Sequence, residues 1–317
     1  MKRIAAPLLL AYMFVISAKA SQDPLYTQFM TNPYLINPAL TGTSNYYQIM
    51  ANNRIQWMGF ADAPITNTIS MYGPMVKQPM GIGGYIMQDK FGPESKFSIN
   101  GTYAYNYAIT EDMKISMGLM LGFFQHKIDG GMLTIKEKND RYFGEGQIFQ
   151  NYRPDASVGA YLYSGFYHVG LSVTNLFGNK VYFENDQYIA AEEDTTDRST
   201  LSRLKQHYYV HGGYKYFFNR EWAIEPTLIV RKVSATPLQL DFNVRTWYGK
   251  RSWEGNKIWG GVSYRTGDAV NILIGYSYQR KIEVGYSYDI GISKNRYHHS
   301  GSHEIMISFK FNDIKEY

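Results

Sequence analysis

Near the end of this 317-residue chain, His298, His299, His303 and Glu304 crowd one short stretch. Imidazole nitrogens and carboxylate oxygens are the groups that hold zinc. Their spacing across Ser300-Gly301-Ser302 matches no zinc signature, so a solvated loop is expected. A second set, Glu184, Asp186, Glu192, Glu193, Asp194 and Asp197, offers the hard oxygens that calcium takes. It lacks the alternating ligands and central glycine of an EF-hand loop, and an extracellular loop is expected there. Gly81-Ile82-Gly83-Gly84 opens no helix and precedes no Lys-Ser/Thr pair, so it does not read as a phosphate cradle. Glycines of this kind relieve crowding or bend a strand. His168 and His211 would supply a base, and Ser172 a nucleophile, if neighbouring strands brought them together. None of these sets completes a catalytic pattern. The expectation is no enzyme, no metal and no cofactor. The chain has no cysteine, which excludes disulfides and thiolate metal sites.

The elements that would position these groups are strands. From Phe97 to Tyr107, the odd positions are Phe, Ile, Gly, Tyr, Tyr and Tyr, and the even positions are Ser, Asn, Thr, Ala and Asn. Ile115, Met117, Leu119, Leu121 and Phe123 repeat the pattern after a turn at Thr110–Asp112. Alternation with a period of two puts one set on each face of a strand. It recurs from Ala156, Tyr167, Val210, Trp222, Leu238, Ile258, Val270, Ile282 and Ile305 onward. Three weaker strands lie near Tyr46–Gln56, Thr66–Tyr72 and Met80–Gln88. The total is about 14, an even number, as bacterial membrane barrels have.

Asp, Glu, Lys and Arg fall on the polar face of these strands and leave the apolar face uncharged. A lysine or arginine facing lipid at mid-bilayer costs roughly 2–4 kcal/mol, and that cost explains the exclusion. A soluble β-sandwich core also excludes charge, but its outer face would carry more Lys, Glu and Thr and less Gly and Ser. Mean hydropathy is −0.35, and no apolar run after the leader is long enough for a helical span. Yet 29 Tyr and 17 Phe are present. Many sit at strand ends, where their rings can lie in the headgroup layer. The fold expected is all-β, a transmembrane antiparallel β-barrel.

Connections alternate in length. Thr110–Asp112, Ser164-Gly165, Asn219-Arg220 and Gln279–Lys281 are short and read as periplasmic turns. Residues 128–153, 175–203 and 293–302 are long and polar and read as extracellular loops. Gly249–Asn256 is a medium-length exception on the short side. By parity Tyr161, Glu225, Arg231, Asp241, Arg245, Trp247, Trp259, Arg265, Glu283 and Asp289 point inward, which implies a salt-bridged lumen rather than a pore of one sign. The net charge of +5 is scattered along the strands, so nucleic acid is not an expected partner; outer-membrane lipid is.

The first 20 residues carry Lys2-Arg3, an apolar stretch from Ile4 to Ile16, and Ala18-Lys19-Ala20. This is the pattern of a cleaved secretory signal peptide. Residues 21–43 are rich in Asn-Pro turns that break strands, so an irregular periplasmic tail or a plug at the periplasmic mouth is expected. The barrel proper then occupies 44–317.

This segment resembles the start of the PorP/SprF family of type IX secretion proteins. The matching positions are Asp23, Pro24, Gln28 and Phe29, then Asn32-Pro33, then Asn37, Pro38 and Gly42, followed by Arg54, Gln56 and Trp57. Gly285-Tyr286-Ser287-Tyr288-Asp289 and His303-Glu304-Ile305 resemble the family's late strands. The resemblance implies an outer-membrane barrel of the type IX secretion and gliding machinery. It also implies two partners: the C-terminal domain of a secreted adhesin or effector, and a periplasmic peptidoglycan-binding lipoprotein. It assigns no role to the twelve motif positions. The competing expectation is a porin or substrate-selective channel.

Overall fold

The computed structural model describes residues 23–132, 148–179, 204–234, 236–249 and 255–312. The leader at 1–20 and the acidic run at 184–197 lie outside the described residues. The strands are Tyr47–Ile55 (β1), Ile65–Pro74 (β2), Met80–Phe91 (β3), Glu94–Ala108 (β4), Lys114–Asp129 (β5), Ile148–Tyr163 (β6), Tyr167–Thr174 (β7), His207–Tyr214 (β8), Tyr216–Phe217 (β9), Trp222–Val233 (β10), Gln239–Gly249 (β11), Lys257–Arg265 (β12), Ala269–Tyr278 (β13), Ile282–Gly291 (β14) and Ser302–Phe311 (β15). β8 and β9 pair with the same strand, β10, and are interrupted only at Lys215, so they form one stave. The result is a closed antiparallel barrel of 14 staves. Its ends meet where β1 pairs with β15, from Tyr47 opposite Phe311 to Ile55 opposite His303. Closure leaves no unpaired sheet edge, a requirement for any sheet in hydrocarbon.

The alternation of the sequence becomes the two faces of this wall. On β4 the side chains of Phe97, Ile99, Tyr103, Tyr105 and Tyr107 are exposed on the outside, while Ser98, Thr102, Ala104 and Asn106 are buried in the lumen. On β13 the outward set is Ile272, Ile274, Tyr276 and Tyr278, and the inward set includes Asn271, Leu273 and Ser277. Among the described residues, no helix is long and apolar enough to cross a membrane; the crossing is made by strands. Ile274, near the middle of β13 and 57% exposed, should lie at the centre of the apolar band. Ile274→Arg is expected to destabilise the folded barrel by roughly 2–4 kcal/mol, read as a lowered urea midpoint in lipid vesicles.

One boundary differs from the sequence reading. Residues 128–129 and 148–153 belong to strands, because β5 and β6 stay paired as far as Asp129 opposite Ile148. Alternation weakens there, where the Gln125 side-chain amide donates to Gln150 and to the Tyr152 hydroxyl. Beyond the apolar band water bathes both faces, so a hairpin can continue without an apolar side.

Two rims result. The short connections, such as 109–113, 164–166 and 279–281, define one. The long ones, 130–147, 175–206 and 292–301, define the other.

Candidate functional site

Residues 23–43 lie inside the barrel as a strap along the lumen. Asn-Pro pairs prevent it from becoming a strand. Pro33–Leu35 and Pro38–Leu40 form single 3₁₀ turns, each with proline at its first position, where no backbone N–H is needed. Asn37 caps the second turn: its Oδ1 accepts the Ala39 N–H at 2.9 Å. Its amide nitrogen lies 3.2 Å from the Ala160 carbonyl and 3.1 Å from His211 Nε2.

The strap enters at the short-turn rim. There Asn106 donates to the Thr41 carbonyl, and Gly42, at φ +76°, lies against the Gly81 backbone. Small lumen-facing residues make room for it. A Cβ on Gly118 would come within 2.5 Å of the Ala39 nitrogen and the Pro38 carbonyl carbon, both backbone atoms. Gly118→Val is therefore expected to dislodge the Pro38–Leu40 turn. Limited proteolysis of the strap in otherwise folded barrels would show it; an equally protected strap would contradict this packing.

Further along, the Tyr34 ring, fully buried, stacks on Tyr72 with centroids 4.4 Å apart, and its hydroxyl meets Thr102 at 2.7 Å. Asn32 donates to Asn52 and Ser70. Phe29 packs with Tyr209 and Ile229. The strap then reaches an ion cluster near the long-loop rim. Arg54 pairs with Asp289 at 2.7 Å and Glu304 at 3.3 Å, and all three are almost completely buried. Thr27 is held at its centre. Its N–H donates to Glu304 at 2.7 Å, its hydroxyl donates to Asp289 at 2.7 Å, and Arg54 donates to that hydroxyl at 2.9 Å. Gln28 donates to the Glu304 carbonyl.

Asp23 forms the last attachment. It accepts from Lys96 at 2.7 Å and Asn175 at 2.6 Å and lies 3.3 Å from His207 Nδ1. Burial alone would raise its carboxyl, but Lys96 and His207 override that and hold it well below the usual carboxylate range. A depressed carboxylate contributes attachment above its unfolded value and loses it only as pH falls through the folded one. This contact is thus complete at neutral pH.

Ten of the twelve motif positions therefore meet along the lumen: Asp23, Pro24, Gln28, Phe29, Asn32, Pro33, Asn37, Pro38, Gly42 and Arg54. Gln56 and Trp57 do not. They lie on the β1–β2 connection, where the Trp57 N–H donates to Ser302 Oγ and the Met58 N–H to the Gly301 carbonyl. They fasten one long-loop-rim connection to another. The strap also climbs further than a plug at the short-turn mouth would, because its polar partners Asp289, Glu304 and Lys96 lie toward the opposite rim. His207, Lys96 and Asn106 carry no signal in the sequence, and Glu304 stands there only in the histidine-rich set and the late-strand resemblance. Parity places them inward, but nothing local says what they meet.

The other candidate sets separate. Glu304 belongs to the Arg54 cluster, whereas His303 bonds Tyr286 on the outer face and His299 sits beside Trp57. Among the described residues no group of three metal-ligating side chains converges. His168 and His211 have ring centroids 6.2 Å apart, and the Ser172 hydroxyl donates to the strap's Ile36 carbonyl at 2.6 Å. The inward charges pair as parity implied: Arg245 with Glu225, Arg265 with Asp241, and Lys310 with Glu283, each at 2.9 Å. Beside Met30 and Thr31 the lumen widens at the short-turn rim into a vestibule of about 900 Å³.

The profile of the family described as "Type IX secretion system membrane protein PorP/SprF" matches residues 18–309. The chain belongs to the PorP/SprF family. No curated protein sequence matches it. Among solved structures, the barrel is similar to the CymD monoaromatic hydrocarbon channel, with TM-score 0.50 and 11% identity over 94% of this chain and 96% of that one. It is also similar to the toluene transporter TbuX of Ralstonia pickettii, with TM-score 0.50 and 9% identity over the same shares. At these identities the likeness speaks for the barrel fold alone. This PorP/SprF barrel is thus a type IX secretion membrane protein, and both fold and family fit the outer membrane.

Proposed function

We propose that this PorP/SprF barrel is a surface anchor and secretion accessory that holds a secreted adhesin or effector by its C-terminal domain. The protein is exported behind a cleaved leader. The long-loop rim faces the cell exterior and presents the binding surface, and the short-turn rim faces the periplasm and meets a peptidoglycan-binding lipoprotein. The barrel binds rather than transforms; it is not an enzyme.

The observation that carries this reading is the strap. It bonds to β1, β2, β4, β6, β14 and β15 within one lumen. A diffusion pore needs that space for solute. A barrel of this size leaves room beyond its wall side chains, and here the chain fills it with its own backbone. The rims and their connections then remain as working surfaces. Affinity purification of the barrel from native membranes, under gentle detergent, tests the reading. A large secreted protein retained in stoichiometric amount is expected, and lost when its C-terminal domain is removed. Recovery of lipid and lipopolysaccharide alone would return the assignment to a channel.

A further inference from the structure

The vestibule at the short-turn rim has a sign. Among the described residues, seven cations and two carboxylates line it. Lys310 is neutralised by Glu283 and Arg245 by Glu225. Among the described residues, no carboxylate lies within ion-pairing distance of Lys215, Arg220 or Lys281. The Lys215 ammonium instead lies 4.7 Å above the Trp247 ring and 5.7 Å from that of Phe217. Arg245 borders the same space at 6% exposure, and its Nε has no hydrogen-bond partner. Cations gathered in a concave, low-dielectric recess focus their field outward and raise the local concentration of anions.

We propose that this vestibule binds an acidic polypeptide segment, in which Asp or Glu alternates with apolar side chains, inserted by a partner protein from the short-turn rim. This goes beyond the anchoring reading and does not depend on it. Charge complementarity calls for carboxylates or phosphates, and three features favour the peptide. Phe217, Trp222, Trp247 and Phe311 give the cavity apolar walls that a lone phosphate leaves unused. Its volume takes several residues rather than one small ion. Lys215, Arg245 and Lys310 are buried or half-buried in the cavity, and Arg220 and Lys281 stand exposed at its mouth on the rim turns, whereas lipid headgroups meet the outer wall. At the other end of the lumen the molecule shows the same solution, where the strap's Asp23 pairs with the Lys96 ammonium at 2.7 Å.

The test uses the full mature barrel in neutral detergent and its tryptophan fluorescence, since Trp222 and Trp247 line the site. The probe is an acetylated, amidated peptide of alternating Glu and Leu. The comparison arms are its Gln-for-Glu counterpart, inorganic phosphate and mixed micelles containing an anionic phospholipid. Saturable binding of the Glu peptide is expected, at least roughly tenfold tighter than the Gln peptide, and weakening as added salt shortens the Debye length from about 10 Å to about 3 Å. The triple variant Lys215→Gln, Arg220→Gln, Lys281→Gln should lose binding by roughly tenfold. Its unfolding midpoint should fall only slightly, because none of the three holds an ion pair among the described residues and only the Lys215 contact with the Trp247 and Phe217 rings is lost. Lys232→Gln, on the far side of β10, should bind as wild type does. Equal binding of the Gln peptide, full competition by phosphate or by anionic micelles, or an unchanged triple variant would each overturn the proposal.

Discussion

Removing residues 23–43 turns the closed barrel into a conducting one: this is the largest effect expected from the structure. The strap is the only part of the described chain that crosses the lumen without belonging to its wall. The wall behind it is polar, with Ser70, Asn52, Thr102, Ser172 and Asn106 all buried and hydrogen-bonded to it. Water can replace the strap's hydrogen bonds to those groups, so the barrel need not collapse when the strap is absent. Fourteen strands lie between the eight that side chains fill and the 16–18 that leave an aqueous channel, so an emptied lumen should pass ions. Single-channel recording in planar bilayers should show at least a roughly tenfold rise in mean conductance over the intact protein. Conductance indistinguishable from that of the intact protein would mean that the strap does not block the lumen.

Arg54→Ala should produce the largest loss of stability from a single substitution. Asp289 and Glu304 are 3% and 0% exposed and face the same guanidinium. Without it, two carboxylates remain buried side by side with only Thr27 and the Gln28 and Asn52 amides as donors. Removing one partner of a buried ion pair costs about 3–5 kcal/mol, because an uncompensated charge stays behind. Urea unfolding in vesicles of fixed composition measures this. The triple variant Arg54→Met, Asp289→Asn, Glu304→Gln removes the charges together and should recover most of the loss. If Arg54→Ala alone left the midpoint unchanged, the cluster would not hold the strap to the wall. The two experiments are linked: a barrel lacking Arg54 should also release the N-terminal half of the strap and conduct more often.

The vestibule and the strap divide the lumen between them. One part is occupied by the chain's own polypeptide, through amides, hydroxyls and one carboxylate cluster. The other is open, cationic and aromatic, and faces the rim of short turns. A partner segment there would meet the strap at Met30 and Thr31, part-way along its length. Occupancy of one could then be felt by the other through the Thr31 hydroxyl, which accepts from Arg245 at 3.3 Å.

Much of this architecture was legible in the sequence because the membrane imposes a rule on every strand. Alternation between Phe97 and Tyr107, or between Val270 and Tyr278, names the two faces. The absence of charge on one of them, with the small polar composition of the other, points to lipid outside and water within. The even strand count, the two classes of connection and the inward charges follow from the same rule, and the Asn-Pro pairs state that residues 32–38 are not strand. What the residues could not state is height within the barrel and identity of partner. Parity gives the side on which Glu304 points but not that Thr27, 277 residues earlier, will meet it. An irregular strap has no period, so nothing in its spacing says which wall groups satisfy it or how far it climbs. Closure of β1 on β15 brings Arg54, Asp289 and Glu304 to one point, and the gathering of Lys215, Arg220 and Lys281 at one rim likewise exists only after the wall has curved. Pattern is a property of neighbours along the chain and survives in one dimension; convergence depends on strand register and barrel curvature, and those arise only when all 14 staves pair at once.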